Sequence, residues 1–301
     1  MMVSDTGLPL RYVLITPARN EEEHIGGLLR SVLAQTDLPL AWVIVSDGST
    51  DRTEELVSEY ERRYEWLRLL QRPKRQERHF AAKVEAFNAG FEVVRSLTFD
   101  VIGNLDADIS FGSDYFAFLM SKFAETPDLG VAGTPFVEQG RHYDYRFTSS
   151  DHVSGACQLF RRRCFEDIGG YQPIRGGGID WLAVTSARMK GWQTRTFTER
   201  TCVHHRPIGT FSGGRLAGPF KQGRKDYHLG GHPVWQAFRG VYQMTRPPYV
   251  LAGFSLLAGY FTAWIMRERR VVSPELMRFH RGEQLARLRR LFRTPRVRTS
   301  S

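Results

Sequence analysis

Asp106-Ala107-Asp108 places two carboxylates one small residue apart at the end of the apolar run Phe99–Leu105. In an extended segment, side chains at i and i+2 point the same way and can serve one hard divalent cation, which typically bridges protein carboxylates and substrate phosphates. The plainer reading is an N-cap and a turn Asp ahead of a helix over Ser113–Phe123. Asp47, in Ser46-Asp47-Gly48-Ser49-Thr50-Asp51, can accept hydrogen bonds from a nucleotide base edge or a ribose hydroxyl, or simply close a polar turn. Asp180 follows Gly176-Gly177-Gly178-Ile179 and precedes Trp181, a ring on which a sugar can stack. Apolar, partly closed surroundings raise such a carboxyl toward general-base duty, whereas the alternative is an N-cap for a helix over Trp181–Lys190. His204-His205-Arg206 offers imidazole to a metal and guanidinium to a phosphate, with a surface turn as the alternative. Neither G-x-G-x-x-G after the first strand nor G-x-x-x-x-G-K-[ST] anywhere is present, so phosphates would need a metal and side chains.

The elements that must position these groups alternate. Tyr12–Thr16 reads as a buried strand ending at Pro17, and Ile25, Leu28, Leu29, Val32 and Leu33 mark an amphipathic helix over Glu22–Ala34. Trp42–Val45 is a second strand. Asp51 with Glu54 three residues on resembles a capping box opening a helix that buries Leu56, Val57 and Tyr60. Leu67–Leu70, the helix Lys83–Arg95 and the strand Phe99–Leu105 follow. Strands separated by helix-length segments imply βαβ units and a mostly parallel sheet, whose ligands sit beyond the carboxyl ends of the strands. The loops after Pro17, Ser46 and Leu105 therefore converge. Further on, Ser154–Phe160 and Gln193–Phe197 read as strands, and the glycine-rich stretch Gly209–Gly231 as a mobile loop.

A pI near 9.8 and a net charge of +10 suggest nucleic acid or an anionic membrane as partner. From Arg267 to Ser301 eleven Arg oppose three Glu, +8, which leaves +2 for the first 266 residues. A nucleic-acid binder would carry basic and aromatic residues on its folded body, so that class is excluded. Cys157, Cys164 and Cys202 lack metal-type spacing and argue for a reducing compartment, and Met1–Arg11 has no signal-peptide pattern. A nucleotidyltransferase would need a glycine-rich loop with a basic residue soon after strand one, which Ala18–Glu23 lacks.

In order along about residues 10–206, several motifs resemble those of family-2 glycosyltransferases of the bacterial surface-glycan type. They are Pro17-Ala18-Arg19-Asn20-Glu21-Glu22, Asp47-Gly48-Ser49-Thr50-Asp51, Lys83 with Asn88-Ala89-Gly90, Asn104-Leu105-Asp106-Ala107-Asp108, Gly155-Ala156, Gly169-Gly170-Tyr171 and Gly178-Ile179-Asp180. The resemblance implies an α/β fold of GT-A type: a mostly parallel, twisted, Rossmann-like sheet flanked by helices. It implies a nucleotide-diphosphate sugar donor, Mg2+ or Mn2+, and inversion at the anomeric carbon. Pro17, Asn20, Glu21, Asp47, Lys83, Asp106 and Arg206 would then meet the donor. Asp106, Asp108 and His204 would hold the metal, and Asp180 would be the base. Many members carry Glu-Asp at the base position, where this chain has Ile179-Asp180. The rival reading is a catalytically inactive, membrane-docked sugar-nucleotide-binding regulator, against which the presence of Asp106, Asp108 and Asp180 argues.

Residues 1–245 read as the transferase domain, with a donor half (10–108), an acceptor half (109–208) and a flexible region (209–245); 246–301 reads as an apolar and basic helical extension. Pro247–Met266 carries no charge and either lies in a membrane interface, packs on the body or spans a bilayer. A span would place the basic tail outside, against the positive-inside preference. Leu276, Phe279, Leu285, Leu288, Leu291 and Phe292, interleaved with arginines, suit an anionic inner leaflet. The expected place is the cytoplasmic face of the cell membrane, and the expected acceptor a glycan or a lipid-linked glycan.

Overall fold

The computed structural model describes residues 9–73, 80–138, 150–174, 177–206, 216–245 and 249–293; Gly176 and the stretches 209–215 and 246–248 of the sequence expectations lie outside them. The chain divides into two compact units, Met1–Ile208 and Gly209–Ser301, so the boundary falls after residue 208 rather than after 245.

In the first unit the order is β1 (Tyr12–Ala18), α1 (Ile25–Leu33), β2 (Ala41–Ser46), α2 (Thr53–Glu61), β3 (Leu67–Gln71), α3 (Phe80–Val94), β4 (Val101–Leu105), β5 (Ile109–Phe111), α4 (Tyr115–Glu125), β6 (Leu129–Gly133), β7 (Phe136–Glu138), β8 (Cys157–Arg161), α5 (Arg162–Asp167), α6 (Ile179–Met189), β9 (Gln193–Thr196) and β10 (Cys202–His204). The main sheet has seven strands in the order β3-β2-β1-β4-β8-β6-β9. It is parallel throughout except for β8, which runs antiparallel between β4 and β6. A second sheet, β5-β10-β7, was not anticipated, because its three-residue strands are too short for alternation to register.

Residues of β1 alternate between two cores. Tyr12 and Leu14 pack with Leu28, Trp42, Val57 and Phe116 on one side of the sheet. Val13 and Ile15 pack with Val43, Val45, Phe87, Phe165 and Val184 on the other. This period-2 split is why the inner strands read as continuous apolar runs. The strand does not stop at Pro17: it continues to Ala18, with Pro17 opposite Val45 and Ala18 opposite Ser46. The capping box does not form: the N-cap of α2 is Arg52, with no side-chain cap bond. Asp51 accepts from the Thr53 N–H at 3.0 Å, but Glu54 turns away to Ser46 Oγ at 2.6 Å.

The second unit holds α7 (Ala217–His228), α8 (Pro233–Met244), α9 (Val250–Ile265) and α10 (Pro274–Arg293). The flexible region expected over 209–245 is therefore helical over 217–228 and 233–244. Its glycines serve close packing: a Cβ on Gly223 of α7 would lie 1.9 Å from the Leu256 carbonyl oxygen of α9, and one on Gly259 2.0 Å from that of Phe220. Helix α9 thus packs against α7, and no helix among the described residues is long and apolar enough to cross a membrane. In α10 the buried stripe is Leu276, Gln284 and Leu288, with Leu291 and Phe292 exposed, so the six-residue apolar face read from the sequence is divided.

Gly90 lets α3 lie close against the sheet, since a Cβ there would fall 2.7 Å from Ile15 Cγ2 and 2.9 Å from Val45 Cγ2. Overpacking costs about 1–3 kcal/mol, and the helix-propensity gain of Gly→Ala is about 1 kcal/mol. Gly90→Ala should therefore lower the midpoint of denaturant unfolding. An unchanged or higher midpoint would show that α3 stands further from β1 and β2.

Candidate active site

Parallel pairing sets the site. With Ala18 opposite Ser46 and Ile15 opposite Asn104, the chain leaves β1, β2 and β4 along one edge, carrying Asn20-Glu21, Asp47 and Asp106 with it. The first two loops are knitted together. Asn20 takes a left-handed backbone (φ 55°), and its Oδ1 accepts from the Thr50 N–H at 2.8 Å. The Glu21 N–H donates to Thr53 Oγ1 at 2.8 Å, and the Glu22 N–H to Asp51 Oδ2 at 3.0 Å. Pro17, half-buried within β1, lies one register position before the strand's last residue, Ala18.

Asp47 is buried, and its carboxylate accepts from Arg72 Nη1 at 2.8 Å. Arg72 was not singled out from the sequence; its signal was its position immediately after β3, where its own N–H donates to the Ser46 carbonyl at 2.9 Å. Its guanidinium also lies 3.4 Å from Glu85.

The acidic pair does not gather in the way expected. Ala107 and Asp108 form a turn between β4 and β5, so it is chain reversal, not an extended segment, that brings the second carboxylate back. Asp106, Asp108 and His204 present ligand atoms that all lie within 4.8 Å of one another. His204 Nδ1 is 2.5 Å from the Arg206 carbonyl oxygen. A carbonyl can only accept, so Nδ1 carries the proton and the neutral ring leaves the Nε2 lone pair, 3.5 Å from Asp108 Oδ1, as a ligand. Two carboxylates and one imidazole form a donor set that fits Mg2+ or Mn2+. The histidine pair separates: His205 turns to Ser110 Oγ at 2.8 Å and takes no part in the cluster.

Lys83 of α3 contacts Asp106. Burial works against its charge, but Asp106 in contact, with Asp180 and Asp108 beyond, outweighs that and raises the ammonium's pKa. Arg206 grips Glu21 with two hydrogen bonds of 3.0 and 2.7 Å, and its Nε lies 4.0 Å from Asp108. Two residues expected at the donor are thus paired with each other.

Asp180 lies in the first turn of α6, two residues after Gly178, whose φ of 102° is left-handed; Gly178, not Asp180, is the N-cap. Behind it stands Gly155, where a Cβ would fall 2.9 Å from Asp180 Cβ. Asn104 Nδ2 donates to the Gly155 carbonyl at 2.8 Å, and the Asp106 N–H to the Ala156 carbonyl at 2.8 Å. The 155–156 segment therefore ties the carboxyl end of β4 to Asp180. A separate cavity of about 470 Å³ along β9, with Arg188, Trp192 and Arg195 in its wall, contains none of these residues.

The sequence model described as Glycosyl transferase family 2 matches residues 13–215. The poly-beta-1,6-N-acetyl-D-glucosamine synthase of Staphylococcus epidermidis is 24% identical over 170 residues, 50% of this chain and 39% of that protein. The chain thus spans well under half the length of that relative. A mannosyltransferase from Pyrobaculum calidifontis, solved with GDP-Man and Mn2+, aligns with a TM-score of 0.57 at 20% identity, over 92% of this chain and 80% of that one. Staphylococcus aureus TarS 1–349 with UDP-GlcNAc aligns at 0.55 and 14% identity, over 90% and 78%. Both share the GT-A type fold.

Burial raises the Glu21 carboxyl to about 7 from its ordinary 4.5; Arg206 opposes the rise, and Asp108 and Asp106 add to it. The folded protein then keeps a proton that the unfolded chain has lost, so this group makes stability fall as pH rises from 4.5 to about 7. In metal-free protein, Glu21→Gln should flatten that part of a pH–stability profile from denaturant melts. An identical slope in both proteins would contradict the assignment.

Proposed function

The chain belongs to glycosyl transferase family 2, and on that premise we propose that it moves a sugar from a nucleotide-diphosphate sugar to an acceptor hydroxyl, inverting the anomeric carbon. The observation that carries this reading is the meeting of the Asp180 carboxylate with the Asp106–Asp108–His204 cluster across a single ammonium, Lys83. Neighbours of the same fold bind GDP-Man with Mn2+ and UDP-GlcNAc, which supports a nucleotide-sugar donor. The acceptor is a glycan hydroxyl, free or lipid-linked; the relative whose name specifies a poly-N-acetylglucosamine product supports a glycan.

In this reading the nucleoside lies over the β1 and β2 loops, against Pro17, Asn20 and Asp47, with Arg72 fixing the Asp47 carboxylate. Asp106, Asp108 and His204 would hold Mg2+ or Mn2+, which would supply charge neutralisation for a departing diphosphate. Lys83 and Arg206 add positive charge beside the same leaving group, and they need little reorganisation because Asp106 and Glu21 already orient them. Asp180 accepts the proton of the acceptor hydroxyl as its oxygen attacks the face opposite the diphosphate. Gly155 keeps that carboxylate in place from behind.

The direct test is a panel of nucleotide sugars offered to the purified chain with Mn2+ or Mg2+, scored for nucleoside diphosphate release. One or a few donors should turn over slowly without acceptor; no binding and no release with any of them would favour a non-enzymatic regulator. General-base removal costs typically 10²–10⁴-fold, so Asp180→Asn should lower kcat by about that factor with donor affinity retained. An unchanged kcat removes Asp180 from the role. Asp108→Asn and His204→Ala should weaken Mn2+ binding in calorimetry by about tenfold or more while leaving the fold intact. Undiminished Mn2+ affinity in both variants would place the ion elsewhere.

A further inference from the structure

Helix α9 has two faces of opposite character. Ala252, Leu256, Gly259, Tyr260 and Ala263 are buried within the second unit. On the other side, Val250, Leu251, Phe254, Trp264 and Ile265 expose between 51% and 79% of their surface. At about 100° per residue these five fall in one arc, and no residue of α9 carries a charge. Leu257, Ala258 and Phe261 lie between them in the same arc and are half-buried, Leu257 against Gly240 of α8, so the open apolar surface gathers at the two ends of the helix, where it marks an interaction surface.

Three observations identify what covers it. Exposed Arg267 and Arg269 follow directly on this face, and the segment from Arg267 onward carries +8, so the partner is anionic as well as apolar. Tyr249 and Trp264, 60% and 51% exposed, stand at the two ends of the helix, as amphipathic rings do at a membrane–water boundary. Its 16 residues reach about 24 Å, short of the ~30 Å hydrocarbon layer, and its opposite face is committed to packing on α7. It can lie along a bilayer but not cross one. A second copy of this chain would answer the apolar face but would bring two strongly positive segments together.

We propose that the outward face of α9 is a membrane-docking surface that lies in the plane of an anionic bilayer, with Arg267 and Arg269 at the phosphate headgroups. This differs from headgroup binding by α10 alone, because α10 turns Leu276, Gln284 and Leu288 inward. The surface stands independently of the sugar-transfer reading, although a lipid-linked acceptor would be met there.

The test is co-sedimentation of the full chain with phosphatidylcholine vesicles containing about 30% phosphatidylglycerol, with donor turnover followed in the same samples. Wild type should pellet with these vesicles and much less with pure phosphatidylcholine. Phe254→Glu with Ile265→Glu should weaken pelleting by about tenfold or more at unchanged nucleoside diphosphate release. A second measurement needs no added charge: brominated lipid should quench tryptophan fluorescence in wild type, and Trp264→Phe should lose most of that quenching. Wild type that fails to pellet, a double variant that pellets as well as wild type, or quenching that survives Trp264→Phe would each overturn the proposal. So would velocity sedimentation showing a wild-type dimer that the double variant breaks while vesicles have no effect. Loss of turnover in all proteins with docking intact would count against sugar transfer and leave this surface standing.

Discussion

Carboxylates gathered at one sheet edge must be neutralised, and much of the first unit is arranged around that requirement. Parallel strands deliver Glu21, Asp47, Asp106 and Asp108 to neighbouring loops because β1, β2 and β4 all point the same way. Two unit charges 4 Å apart interact by roughly 4 kcal/mol at an effective dielectric near 20, enough to splay such loops if left unanswered. Three of the four are met by a cation from a different element, Asp47 by Arg72 after β3, Asp106 by Lys83 of α3 and Glu21 by Arg206 after β10, and Asp108 faces His204. The small second sheet has its purpose here. By pairing β10 with β5, which follows the Asp108 turn, it brings His204 and Arg206 back across nearly a hundred residues of chain.

How far the sequence foretold this follows the range of the signals. The sheet edge was legible because β1, β2 and β4 are buried on both faces and end in polar clusters, a local pattern. The metal triad was legible only in its ligands: nothing local says that Asp108 returns through a turn, or that His204 presents Nε2 because Arg206 holds its Nδ1. Arg72 went unseen because an isolated arginine after a strand has no signature until its partner is known. The Glu21–Arg206 pair spans 185 positions, beyond any reading of spacing. The second unit was misjudged for another reason. Glycine weakens an isolated helix by about 1 kcal/mol per residue, so a glycine-rich stretch reads as a loop. Here backbone-to-backbone contact at Gly223 and Gly259 offsets that cost, and helices result.

Charge is partitioned between the two units as cleanly as structure is. Met1–Ile208 carries 25 Lys and Arg against 28 Asp and Glu, and Gly209–Ser301 carries 17 against 4. An acidic edge suits a substrate that brings cations with it; a basic segment beside an apolar helix suits a surface that is anionic outside and apolar beneath. Net charge of the whole chain conceals both, since the two features have opposite signs.

Glu21 shows how far the functional edge is from balance. Five carboxyls, Glu21, Asp47, Asp106, Asp108 and Asp180, face three cations, Arg72, Lys83 and Arg206, besides the more exposed Glu85. Burial begins the rise of the Glu21 carboxyl to about 7, and its acidic neighbours sustain it although a guanidinium grips both its oxygens. Asp106, Asp108 and His204 would hold a dication, and it would offset the two carboxylates that act on Glu21. The contributions of Asp106 and Asp108 to the Glu21 rise would then weaken, while burial, its largest cause, would remain. The Glu21–Arg206 pair is thus linked to the Asp106–Asp108–His204 cluster through the two aspartates that act on Glu21.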